Sequence, residues 1–266
     1  MITKFPPVPP EQCHCGGRAG YSNKEDALLI AYPGYLSGSI AVSADNELWG
    51  SETLLRLAFA DSDSFHLHGL LGYRFAYLRD SLRINQTSEW LVDDGFIYAG
   101  TGKRIFDQFA SRNEFHGGTL GLAVQLRRPR WFLDLTGKVS LGSTGSTVWI
   151  DGATTTTVPG ADPMTTGGGL LALGTNIGEH KLSSFSVIPE ASLTLGYNVT
   201  PRLQLSAGYT FIYWSGVVRP GDQIDLSVNP SQFPPGPLVG PARPEFPARS
   251  TGFWAQGLNL GIEYRF

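Results

Sequence analysis

The chain has 266 residues, a net charge of −3, 33 glycines, 18 prolines and only 16% charged residues. The slight acidic balance argues against a nucleic-acid partner, and the glycine and proline content favours strands and turns over helices. No apolar run approaches the ~18 residues that a membrane helix needs, but membrane strands spread their hydrophobicity over alternate positions and escape that test.

Met1 to Pro10 shows no charged region followed by an apolar stretch, so no signal peptide is visible. Cys13 and Cys15 flank His14. Two cysteines are too few for a metal site by themselves, and a disulfide across one residue is strained, so residues 1–25 read as an unpaired flexible segment. Residues 26–266 read as one β domain.

Seven segments alternate with the period of two that places successive side chains on opposite faces of a strand. The first runs over 38–59, with Leu55, Leu57 and Phe59 opposite Glu52, Leu54, Arg56 and Ala58. After the turn at Asp61-Ser62-Asp63-Ser64, Leu67, Leu71, Tyr73, Phe75 and Tyr77 oppose His66, His68, Gly72, Arg74 and Ala76. The third covers 113–127, with Leu120, Leu122, Val124 and Leu126 opposite Thr119, Gly121, Ala123 and Gln125. Arg128-Pro129-Arg130 turns the chain, because proline fixes φ and removes a ladder donor. In the fourth, Trp131, Leu133, Leu135, Val139 and Leu141 oppose Asp134, Thr136, Lys138 and Ser140. The fifth sets Val187, Ala191, Leu193, Leu195 and Tyr197 against Ser186, Glu190, Ser192 and Thr194. Beyond the turn at Asn198-Val199-Thr200-Pro201, the sixth sets Leu203, Leu205, Tyr209, Phe211 and Tyr213 against Gln204, Ser206, Gly208 and Thr210.

The seventh ends the chain, with Leu258, Leu260, Ile262, Tyr264 and Phe266 on one face. Asn259, Gly261, Tyr264 and Phe266 fit the pattern polar, any, Gly, any, any, aromatic, any, aromatic, which resembles the C-terminal assembly signal of outer-membrane barrels. Short turns alternate with long Gly-, Pro-, Ser- and Thr-rich stretches at 80–112, 143–180 and 217–250, as in barrels with short periplasmic turns and long outer loops. The expected fold is therefore all-β: a transmembrane antiparallel up-and-down barrel of the outer membrane, with lipid against the aromatic-rich faces. Trp131, Tyr197, Tyr77, Tyr213 and Tyr264 are candidates for its interfacial girdles.

If the seventh strand ends in the periplasm, the first starts outside, whereas an exported barrel starts in the periplasm with an even strand count. An N-terminally truncated barrel is the expectation, with an open edge that invites misassembly.

The small and polar faces carry the charges. Glu52, Arg56, Arg74, Asp134, Lys138, Glu190, Glu263 and Arg265 form the expected lumen-facing set. Asp134 and Lys138 lie four apart on one strand and Glu190 is inward on the next, so pairing among them, pore lining, or both are open. His66, His68 and His116 read as inward but lack an obvious third metal ligand. No spacing singles out a Ser–His pair with an orienting group, so neither catalysis nor a cofactor is expected. Arg219-Pro220-Gly221-Asp222 either turns the chain or holds a loop against the barrel mouth.

Several stretches resemble the putative beta-barrel porin-7 family of outer-membrane proteins. They include Glu47-Leu48-Trp49-Gly50-Ser51-Glu52, Tyr73-Arg74-Phe75-Ala76-Tyr77-Leu78, Asn113-Glu114-Phe115-His116-Gly117-Gly118 and Arg130-Trp131-Phe132-Leu133-Asp134. Val187-Ile188-Pro189-Glu190, Gly208-Tyr209-Thr210-Phe211-Ile212-Tyr213-Trp214 and Arg219-Pro220-Gly221-Asp222 follow, so the likeness covers roughly 26–266. The resemblance implies an outer-membrane barrel of about ten strands, with a signal peptide and further strands upstream, and implies no catalytic residue. The partners expected are the outer-membrane bilayer, the barrel assembly machinery and small solutes. Passage or binding of solutes in a narrow lumen is the first functional expectation. A non-conducting barrel working through its long outer loops is the second.

Overall fold

In a computed structural model, residues 29–233 and 238–266 are described. Cys13, His14 and Cys15, with the rest of the N-terminal segment to residue 28, lie outside them. The strands are β1 (Leu36–Ser62), β2 (Phe65–Trp90), β3 (Gly102–Arg127), β4 (Trp131–Thr157), β5 (Met164–Gly167), β6 (Gly178–Asn198), β7 (Leu203–Val217) and β8 (Thr251–Tyr264). Seven form one antiparallel sheet in the order β1-β2-β3-β4-β6-β7-β8, and the short β5 pairs only with β4. The sheet is a curled half-barrel; among the described residues β1 and β8 do not pair with each other. At the free edge of β1, Tyr32 bridges back to Leu36 through a turn containing Gly34, whose φ of 80° suits glycine.

Burial is inverted relative to a water-soluble sandwich. The apolar faces look outward: Leu71 is 46% exposed, Leu122 52% and Leu195 52%. The small and polar faces look inward, where Thr119, Ser140 and Thr144 are fully buried. Thr119 and Ser140 satisfy each other across β3 and β4 at 2.8 Å. A chain that exposes leucine and buries threonine is organised around its lumen.

The short turns, at residues 63–64, 128–130 and 199–202, share one end of the sheet, and the long connections share the other. The strands overrun the expected loops. β2 continues to Trp90 and β3 begins at Gly102, so the connection expected over 80–112 shrinks to 91–101. Likewise β4 runs to Thr157 through a stretch expected as loop. The outward face turns polar there (Arg79, Ser81 and Arg83) and the inward face mixes Asp80, Gln86 and Ser88 with Leu82 and Ile84, so the alternation that marks the apolar band fades while the ladder continues.

Candidate functional site

Four inward charges meet at mid-height. Glu52 on β1 is in register with Arg74 on β2, and Lys138 on β4 with Glu190 on β6. Between them stands β3, which offers only glycine: Gly117 is opposite Arg74, and Gly121 is opposite Lys138. The two pairs are four register steps apart along β3, and the stagger of inclined strands brings them level. A Cβ on Gly121 would lie 2.8 Å from Lys138 Cγ, so the glycine is what lets the lysine stem cross β3.

Lys138 Nζ donates to Glu52 Oε2 at 2.5 Å and lies 3.0 Å from Glu190 Oε1. Arg74 Nη2 donates to Glu190 Oε2 at 2.6 Å. The fourth side is looser: Arg74 Nη1 and Glu52 Oε1 are 3.9 Å apart, and neither has a hydrogen-bond partner. All four side chains are between 9% and 18% exposed. Two cations and two anions thus form a neutral ring across four strands, as buried charges require.

The other four of the eight expected lumen charges lie elsewhere. Asp134 faces inward but does not pair with Lys138, since four residues along a strand span about 13 Å. Its Oδ1 is buried without a hydrogen bond. Arg56 is exposed, two pleat repeats below Glu52. Glu263 and Arg265 pair with each other at 2.9 Å beside the chain end. His116 is corrected to the outward face, where its Nδ1 is 2.6 Å from Tyr73 Oη. His66 and His68 do face inward; their rings stack at 6.5 Å and His66 Nδ1 meets Asp61.

Directly above the ring lies an apolar layer. Phe115 and Trp214 pack edge to face at 6.1 Å, with Ala76, Leu78 and Ile188 around them. Trp214 Nε1 donates to Thr144 Oγ1 at 3.0 Å, which pays the polar cost of burying the indole. β7 then breaks register with β8 between Trp214 and Val217, and Gly216 at φ 71° turns the chain inward. Asn113 clamps it there: its Oδ1 accepts from Val218 N at 2.8 Å and from Ser146 Oγ at 2.7 Å, and its Nδ2 donates to Val218 O at 3.0 Å.

Both longer loops are fastened to the mouth. Arg219 Nε donates to Asp80 Oδ2 at 2.9 Å, so this arginine both follows the strand and holds the 218–250 loop. Asp107 on β3 accepts the backbone N–H groups of Leu170, Leu171 and Ala172, at 2.9, 2.9 and 2.7 Å to one oxygen. Burial pushes its carboxyl above the usual range, and the three donors only partly offset this. Asp225 is also pushed up by burial, yet the Arg243 guanidinium at 2.8 Å and the N–H groups of Glu245 and Ser227 hold it below its ordinary value. Thr175 Oγ1 donates to Pro244 O at 2.7 Å, joining the two loops, and His180 at the start of β6 stacks on Phe246 at 4.1 Å.

Sequence reasoning missed Asp80, Asp107, Asn113 and Trp214 as working residues. Asn113 and Trp214 stand within quoted family-like stretches; Asp107 carries no local signal, because its partners are backbone groups some sixty residues away.

At the chain end, Asn259 Nδ2 donates to Thr210 Oγ1 at 3.4 Å, and a Cβ on Gly261 would lie 2.6 Å from Ser206 Oγ. Tyr264 and Phe266 pack edge to face at 5.6 Å. No match is found among curated proteins or among solved structures. The family model described as Putative beta barrel porin-7 matches residues 19–266. With that match over nearly the whole chain, and an antiparallel sheet curled around a buried lumen, the chain belongs to the Putative beta barrel porin-7 family.

Proposed function

We propose that this protein is a porin-like barrel of the bacterial outer membrane whose lumen is closed by its own side chains, and that it works at the cell surface through the 158–177 and 218–250 loops. The observation that carries this is the series of interior contacts from the Glu52–Arg74–Lys138–Glu190 ring, through Trp214 and Phe115, to the Asn113 clamp on Val218. Contacts from β3 to β7 and from β1 to β4 require tight curvature, and barrels of about eight strands have interiors that side chains fill.

The outward face supports the membrane address. Trp131, Tyr197 and Tyr264 lie near the short-turn ends, while Trp49, Tyr77, Tyr213 and Trp254 lie farther up. Phe65 to Tyr77 is twelve residues, or about 30 Å of height at about 3.3 Å per residue and a tilt of about 40°, close to the apolar band of outer-membrane barrels. The barrel assembly machinery is the partner that reads the terminal strand.

A second reading, passage of small solutes, is favoured by one observation: the mid-height layer is charged and its Glu52–Arg74 side is not hydrogen-bonded. Single-channel recording in a planar bilayer separates the two. Closure predicts a silent, folded barrel. Stable ohmic steps whose ion selectivity shifts in E52Q/K138Q would replace closure with a narrow pore.

A further inference from the structure

On the outward face of β2 and β3, Arg79 and Arg112 stand directly opposite each other. Like charges in register on neighbouring strands, with Cβ atoms about 5 Å apart, repel. Their local acids answer this only in part. Glu114 Oε1 is 3.5 Å from Arg112 Nε, whereas Glu47, in register with Arg79, makes no ion pair with it. Among the described residues, Arg79 has no hydrogen-bond or ion-pair partner and is exposed. The Arg112 guanidinium also lies over the Trp149 ring at 5.3 Å, which orients it outward.

The height of this pair decides what meets it. Two residues below Arg79 on the same face is Tyr77, whose ring lies 5.2 Å from that of Trp49. These aromatics close the apolar band on the long-loop side, and two residues raise the chain by about 5 Å. An arginine pair just above an aromatic girdle, on the surface that faces lipid, sits among headgroups rather than in open solvent.

We propose that Arg79 and Arg112 bind the phosphate of an anionic outer-leaflet lipid, whose acyl chains lie along the apolar band below. A phosphate bridging the two guanidinium groups relieves their repulsion and supplies the partner Arg79 lacks. The inference rests on the membrane reading given above.

The test is native mass spectrometry of the detergent-solubilised protein titrated with bisphosphorylated lipid A, with phosphatidylcholine and inorganic phosphate as competitors. The wild type is expected to retain one lipid A. R79Q and R112Q are each expected to weaken retention about fivefold. R79K/R112K is expected to restore most of it, and R83Q, on the same face of β2 farther up, to leave it unchanged. Equal retention by R79Q/R112Q overturns the proposal, as does phosphatidylcholine binding equally well. Displacement of lipid A by millimolar inorganic phosphate would make this a free-anion site and also overturn it. A protein that stays soluble and monomeric without detergent would overturn the membrane reading itself, and this proposal with it.

Discussion

Lys138 Nζ on β4 donates to Glu52 Oε2 on β1 at 2.5 Å, across the two strands that lie between them in the sheet. The lysine faces two carboxylates and the arginine of the ring faces the same two. K138M would leave Glu52 and Glu190 sharing Arg74 alone. Removing one partner of a buried ion pair costs about 3–5 kcal/mol. The double variant K138M/E52L leaves the matched pair Arg74–Glu190 and should recover most of that loss. The midpoint of heat-induced unfolding, read from the mobility shift of unboiled samples, gives the coupling. A double-variant loss equal to the sum of the K138M and E52L losses would show that the ring carries no coupled energy.

Replacing Gly121 acts on the same contact from below. A Cβ there meets Lys138 Cγ at 2.8 Å and Gly137 O at 2.6 Å, so G121V must lift the lysine off β3 or push the strands apart. The expected loss is about 1–3 kcal/mol, the usual cost of overpacking. In the K138M background, where the side chain is no longer tethered to Glu52 and Glu190, G121V should cost less. The same unfolding midpoint measures both, and an undiminished cost would place the strain in the backbone contact instead.

The two loop fastenings should respond to pH in opposite directions. Asp107 has a raised folded-state value, so between its ordinary and folded values the folded state holds the extra proton. Stability then falls as pH rises through that window, and the 168–172 segment should loosen toward neutrality. Asp225 has a lowered value, so its contribution is complete above the ordinary aspartate range and is lost as pH falls through the folded value. Hydrogen exchange, corrected for intrinsic rates, should show Leu170–Ala172 best protected in acid and the Glu245 amide best protected at neutral pH. D107N should abolish the first trend and leave the second. Parallel trends at both loops would contradict this assignment.

Much of the fold was legible because barrel strands with one apolar face keep a strict two-residue period. Leu71, Tyr73, Leu120, Leu122 and Leu195 all face outward as their alternation predicts. Above the band that signal vanishes, so 80–90 and 102–112 read as loop although the ladder runs through them. The ring was half legible: parity placed Glu52, Arg74, Lys138 and Glu190 inward, but only register shows that Lys138 meets Glu52 and not Asp134. A strand pattern fixes which face a residue takes, not which distant strand it meets.

Trp214 is the widest side chain in the lumen, 1% exposed, and its removal should separate a filled barrel from a gated one. W214A leaves a cavity against Phe115, Ile188 and Val217 and strands the Thr144 hydroxyl. The expected cost is about 3–5 kcal/mol. If the lumen is closed by packing, W214A should still be silent in a bilayer, because the Glu52–Lys138 ring below remains intact. Conductance appearing in W214A alone would make the tryptophan the gate. Conductance only in W214A/K138M would show two barriers in series.

The terminal strand makes the last prediction. Leu258, Leu260 and Ile262 are 81%, 86% and 78% exposed, and Phe266 packs on Tyr264 at the short-turn end. A row so apolar and so open has no stabilising role in water; under the membrane reading proposed above, it is the row that an assembly partner would hand to lipid. Deleting Phe266 removes one aromatic and leaves every ladder bond of β8 in place, since the strand ends at Tyr264. Folding in detergent should therefore be nearly unchanged, while the amount recovered in outer membranes of expressing cells should fall severalfold. Equal loss in detergent refolding and in cells would assign Phe266 to stability, and no loss in either would remove it from the assembly signal. G261V is the contrasting variant: its Cβ collides with Ser206 Oγ at 2.6 Å, so it should impair refolding in detergent as well as delivery in cells.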